Sequence, residues 1–209
     1  MQLSAICGDA TFNSFVTPTQ PMTTEAEDVT GILHDSTTNE MTQHGVPVQH
    51  KHAMNVLLDF IDFLKSLEKC IVLVAHNCRC FDSIILHNHL KLYNIWNYFC
   101  KFVTGFCDSL PYFRLLYPNL RNHKQKTVAL EMFGEEYVAH DAMEDCKVLQ
   151  NLVKKSCKEK MLLEKFFFHV NQVSNHGVEY LSTSIEYLCE KKSYFKTHSE
   201  KTCSYISFF

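Results

Sequence analysis

The chain has 209 residues, 46% hydrophobic and 21% charged, which suits one domain with an appendage and supplies enough apolar surface for a buried core. A formal net charge of −3 argues against a strong, purely electrostatic grip on a polyanion. No run approaches the roughly 18 consecutive apolar residues of a membrane span, and the opening MQLSAICGDA has neither the basic nor the apolar part of a secretory signal. A soluble, intracellular protein with reduced thiols is expected.

Residues 3–7 and 12–16 are β-prone runs around Gly8-Asp9-Ala10, the pattern of a hairpin. The next stretch, to about His50, is polar and carries Pro18, Pro21 and Pro47; it reads as a long surface loop with one short helix near residues 24–32. From 53 to 67, Met54, Leu57, Leu58, Ile61, Leu64 and Leu67 recur at helical spacing. CIVLVA at 70–75 is a continuous β-branched run, as in a strand buried on both faces. Helix at 81–92, strand at 102–108, and short helices at 111–117 and 127–133 follow.

The best-marked helix start is Asp141-Ala142-Met143-Glu144, with Asp141 as N-cap and Glu144 three residues on, and that helix runs to about Cys157. Residues 161–190 read as two helices joined near Asn175-His176-Gly177, and 203–209 are β-prone. Strands alternating with helices give an α/β class, a mixed sheet flanked by helices. The expected domains are 1–158 and a helical C-terminal extension, 159–209, of unknown role.

The charge is uneven. Residues 151–209 hold nine Lys and six Glu, net +3, which leaves −6 for residues 1–150. His76, Cys78, Cys80, His87 and His89 crowd together, but their spacing does not match the paired ligands of a structural zinc site. Trp96, Phe99, Phe102, Phe106, Tyr112 and Phe113 sit at core spacing rather than as a stacking platform, and the 166–168 Phe run reads as helix packing.

Two segments carry chemistry. Asp82 follows the buried strand, at the start of the next helix, where the helix dipole favours a carboxylate; the plainer alternative is an ordinary first-turn acid with Asn77 making a turn. In the second segment, His140 lies on the loop entering a helix whose first turns carry Asp145. A carboxylate that fixes an ion beside an imidazole that takes a proton from water is the arrangement metal-assisted hydrolysis needs. Lys154 and Lys155, later on that helix, are candidate phosphate contacts.

Together, N-x-x-x-F-D from Asn77 to Asp82, the strand end Phe106-Cys107-Asp108-Ser109-Leu110, and Ala139-His140-Asp141-Ala142 with Glu144-Asp145 resemble the DEDDh 3′→5′ exonucleases, over roughly residues 2–155. The resemblance implies an RNase H-like exonuclease fold with two metal ions, Mg²⁺ or Mn²⁺. It implies Asp82 and Asp145 as metal ligands, His140 as the catalytic base and Asn77 as a substrate contact. The implied substrates are DNA or RNA 3′ ends, in the nucleus or cytoplasm, with protein partners conceivable and no membrane.

In this family an Asp-x-Glu pair on a first central strand binds both ions, and no Asp-x-Glu occurs in these 209 residues. Asp9 sits at a hairpin tip, and Glu25, Glu27 and Asp28 lie in the polar loop, away from rigid elements. The first central strand is therefore expected to be missing and the chain to be inactive or strongly impaired, with a non-catalytic binding module as the alternative. Three arrangements are open for the vacated position: truncation, direct pairing of the flanking strands, or replacement by residues 203–209. Truncation is the one expected.

Overall fold

The computed structural model describes residues 1–67, 71–135, 137, 141–156, 163–174, 176–178 and, for the backbone, 204–208. The opening hairpin is as expected: β1 (Gln2–Cys7) and β2 (Ala10–Val16) pair antiparallel from Gln2↔Phe15 to Cys7↔Ala10. Gly8, at φ 62°, takes the left-handed position in the turn, where a Cβ would be strained.

The polar stretch is more ordered than a loop. It holds α1 (Thr24–Thr30), β3 (Ile32–Asp35), β4 (Glu40–Gln43), β5 (Val46–Pro47) and β6 (His50–Lys51). β3, β4 and β5 form a small antiparallel sheet of their own. Its sequence is polar because only one face is covered: Ile32 and Met41 pack on Phe15, while Leu33 and Val46 face water. Asn39 and His44 supply the positive φ its turns require, at 56° and 51°.

α2 (Ala53–Ser66) buries Val56, Leu57, Phe60, Ile61 and Leu64; Leu57, Ile61 and Leu64 belong to the expected face, whereas Met54 is exposed, so the buried stripe is rotated towards Val56 and Phe60. β7 (Ile71–Ala75) is buried at every position. Then come α3 (Asp82–Leu92), a single extra turn α4 (Trp96–Phe99), β8 (Val103–Asp108), α5 (Ser109–Leu116), α6 (Gln125–Phe133) and α7 (Ala142–Lys155).

Residues 161–190 are not the two expected helices where they are described. A 3-10 turn at Glu164–Phe166 leads into β9 (Phe167–His169), and a second at Val170–Gln172 leads into β10 (Val173–Ser174), which pairs with β11 (Gly177–Val178). An apolar run of three has no period that tells helix from strand. Here it alternates, with Phe168 in one core and Phe167 in the other. Gly105 makes room for β9, since a Cβ there would lie 2.3 Å from the Phe168 carbonyl oxygen.

The main sheet has seven strands in the order β6-β2-β1-β12-β7-β8-β9, where β12 is Ser204–Phe208. β12 lies between β1 and β7, antiparallel to β1 (Ala5↔Phe208, Ile6↔Ser207) and parallel to β7 (Ser204↔Ile71 to Ser207↔Val74). The position expected to be vacant is therefore filled. Of the three arrangements open to the sequence, the structure shows the C-terminal segment in that slot, where an empty position was expected. The physical reason is backbone pairing: an empty slot would leave two inner edges of buried N–H and C=O groups without partners. β9 and β12 thus join the described part of the extension to the same sheet as the rest of the chain.

The sheet separates two cores. On one face Leu3, Ala5, Ile71, Leu73 and Phe106 pack against α2 and α3; on the other Val72, Val74 and Cys107 meet α5, α6 and α7. A register shift at Ile71/Val72 against Val103/Gly105 changes the phase of β8, so Val103 and Phe106 share a face.

Candidate active site

The loop after β7 brings Asp82 into place. Asn77 adopts φ 68°, which Asn tolerates better than most residues, and the chain turns there towards α3. Asp108, at the end of β8 and only 4% exposed, fastens that turn. Its Oδ1 accepts the Asn77 N–H at 2.9 Å and the Leu110 N–H at 2.9 Å, and its Oδ2 accepts the Arg79 N–H at 3.1 Å. One buried carboxylate therefore caps α5 and anchors the turn that presents Asp82. Asn77 itself is exposed, and its backbone rather than its side chain carries this contact.

α7 brings in Asp145. Asp141 caps the helix as its position predicts, accepting the N–H groups of Met143 and Glu144 at 2.9 and 3.0 Å. Glu144 does not return the bond; its carboxylate pairs with Lys147 at 2.6 Å. The helix is laid along β1 by three polar contacts. The Ala142 N–H donates to Gln2 Oε1 at 3.2 Å, Cys146 Sγ contacts the Ser4 carbonyl at 3.4 Å, and the Gly8 N–H donates to Gln150 Oε1 at 2.9 Å. Asp145 is 8% exposed. Its Oδ1 accepts the Tyr137 hydroxyl at 2.8 Å, and Gln125 Nε2 donates to its backbone carbonyl at 2.9 Å and to the Tyr137 oxygen at 3.0 Å.

Asp82 and Asp145 line one cavity of about 310 Å³ with Gln2, Leu3, Ile85 and His89. Glu25, Glu27 and Asp28 do not line it. Burial pushes the Asp82 carboxyl up to about 7, and the nearby charge of Asp108 pushes it the same way. Burial also raises the Cys146 thiol well above its usual range, and the charges of Asp145, Asp82 and Asp141 add to this, so the acids converge on the first turns of α7. The Tyr137 hydroxyl is raised by burial, then by the Asp145 charge and the hydrogen bond it donates to that carboxylate.

Exonuclease domains of this type generally use divalent ions. Two such ions need many oxygen ligands, six each for Mg²⁺, and the described residues supply two carboxylates, one already holding a tyrosine hydroxyl. Among the described residues no group of three His, Cys, Asp or Glu side chains could hold a metal ion. The carboxylates of the described residues do not by themselves make a two-ion site.

The other expected site residues are placed as follows. His140 lies outside the described residues. Lys154 and Lys155 end α7, roughly 15 Å along the helix from Asp145 at 1.5 Å per residue. Lys155 Nζ donates to the Met132 carbonyl and sits 4.8 Å over the Phe133 ring, joining α7 to α6. Sequence reasoning did not single out Gln125 and Tyr137, whose roles depend on contacts across the fold. Asp108 was visible only as part of the strand-end motif, although an Asp before a helix start is a capping signal.

A mixed sheet flanked by helices, with Asp82 and Asp145 lining one cavity beyond the end of a parallel strand, defines an RNase H-like exonuclease domain. The exonuclease family model of the RNase T type matches residues 4–153, and the chain belongs to that family. No curated protein matches it.

Proposed function

We propose that this domain receives the 3′ end of a DNA or RNA strand in the Asp82/Asp145 cavity, and that hydrolysis there is abolished or strongly impaired. One observation carries the proposal: the strand between β1 and β7, where the resemblance places the Asp-x-Glu, is β12, whose sequence Ser-Tyr-Ile-Ser-Phe has no acid. Asp82 and Asp145 stand without the acid pair of that strand, which leaves the two-metal arrangement incomplete. Losing a group of that importance typically costs on the order of 10³-fold or more in rate.

A non-catalytic binding role follows as the alternative reading, favoured by the same strand. The resemblance extends to the exonuclease-like domain at the C-terminus of long forms of the promyelocytic leukaemia protein, which supports a nuclear setting.

Binding of fluorescent 12-mers with a free 3′-hydroxyl, against 12-mers blocked by a bulky 3′ group, tests the reading. Preference for the free end, reduced by Ala142→Trp at the cavity wall, is expected. Equal binding of both oligomers, or no binding, overturns it.

A further inference from the structure

The cavity raises an electrostatic problem. Its charged lining is Asp82, Asp145 and the Met1 ammonium, with no Lys or Arg among otherwise mostly apolar residues, so it offers a phosphodiester little net positive charge. Affinity for a polyanion must be supplied beside the cavity rather than within it.

The segment leading into α6 meets that need. Arg121, Lys124 and Lys126 are all exposed, and none forms an ion pair with a described residue. The segment is held firmly. Asn122 Oδ1 accepts the Lys124 N–H at 3.1 Å and the Thr127 hydroxyl at 2.7 Å, and His123 Nε2 donates to the Tyr117 carbonyl at 2.8 Å.

Two further contacts bind the segment to the site. His76, which begins the turn before Asp82, donates from Nε2 to the His123 carbonyl at 2.7 Å. Gln125, flanked by Lys124 and Lys126 and only 7% exposed, reaches the Asp145 carbonyl at 2.9 Å.

We propose that Arg121, Lys124 and Lys126 form a track for the phosphate backbone of a single strand whose 3′ end enters the cavity. This rests on the 3′-end reading above. It moves the phosphate contacts from the far end of α7, where Lys154 and Lys155 stand, to a segment hydrogen-bonded to the Asp145 backbone and to the turn before Asp82. A nucleic acid fits better than an acidic peptide because the track runs beside a cavity that holds Asp82 and Asp145, where further carboxylates would be repelled.

The test is fluorescence anisotropy of 5′-labelled dT12 and U12 on the full chain, in EDTA, from 50 to 200 mM KCl. Replacing Arg121, Lys124 and Lys126 together by Gln removes three contacts. The log–log salt slope should flatten by about 2, and affinity at 0.1 M salt should fall on the order of a hundredfold. A charge-matched control, Lys65→Gln with Lys91→Gln and Lys101→Gln, removes three exposed lysines outside this segment and should change neither by more than about threefold. Circular dichroism confirms that both variants fold.

Equal losses in the two variants, or no loss in the first, overturn the track and leave the 3′-end reading standing. Displacement of the oligomer by a glutamate 12-mer at equal concentration overturns the nucleic-acid assignment in favour of an acidic peptide. Absence of binding by the unaltered chain overturns the track and the 3′-end reading together.

Discussion

Ile206→Pro places the one residue without a backbone N–H in the middle of β12. In the sheet, Ile206 pairs with Leu73 of β7 and sits next to Ser207, which pairs with both β1 and β7. Proline removes one ladder bond, worth about 1 kcal/mol net, and leaves a buried acceptor unpaired at a cost of about 1–3 kcal/mol. The sum, about 2–4 kcal/mol, is a large share of the 5–15 kcal/mol that typically separates folded from unfolded domains. For a chain of this size each kcal/mol lowers Tm by roughly 2–4 °C, so a drop of about 5–15 °C is expected. Thermal melts by circular dichroism measure it. Ser204→Pro, at the first residue of the strand where proline is tolerated, is the control and should cost under about 1 kcal/mol. An Ile206→Pro protein that melts with the parent chain would mean that β12 is not a central strand.

Three further outcomes follow from the geometry. The Asp82 carboxyl, raised from 3.8 to about 7, keeps in the fold a proton that the unfolded chain releases, so stability falls as pH rises from about 4 to 7 and the loss is complete above that. The loss is on the order of 2–4 kcal/mol, and Asp82→Asn should remove it; urea titrations at pH 5 and 8 that show the same pH difference in both proteins would contradict this. Asp108→Ala should cost about 3 kcal/mol or more by orphaning three backbone N–H groups, with Asp108→Asn intermediate, measured by denaturant midpoint. Gly105→Ala should destabilise by about 2 kcal/mol or more, because its Cβ would strike the Phe168 carbonyl oxygen at 2.3 Å, and an unchanged midpoint would show that β9 does not pack there.

The parts of the fold that follow from local pattern were legible in the sequence. The periodic face of α2, the continuous apolar run of β7 and the Asp141 cap each carry their own signal within a few residues. The pairing of Asp82 with Asp145, which line one cavity, was implied by the family resemblance of their motifs rather than by local pattern. The small sheet of β3 to β5 was hidden because strands covered on one face, with only Ile32 and Met41 fully buried, look like loop. β9 was hidden because a short phenylalanine run has no diagnostic period. The β-prone character of β12 was visible, but its position was not. Strand order depends on pairing between residues some 130 positions or more apart in the chain, such as Val74 with Ser207, and no local rule encodes it. Tyr137 and Gln125 were missed for the same reason, since their meaning lies in their distance from Asp145.

The most direct measurement is single-turnover release of nucleotide from 3′-labelled dT12 and U12 by the folded chain in Mg²⁺ and in Mn²⁺, with Asp145→Ala alongside. With β12 in place of an acid-bearing strand, the expected result is no release above the Asp145→Ala background. Metal-dependent release that Asp145→Ala abolishes would mean that a replacement carboxylate completes the site, and it would contradict the proposed impairment.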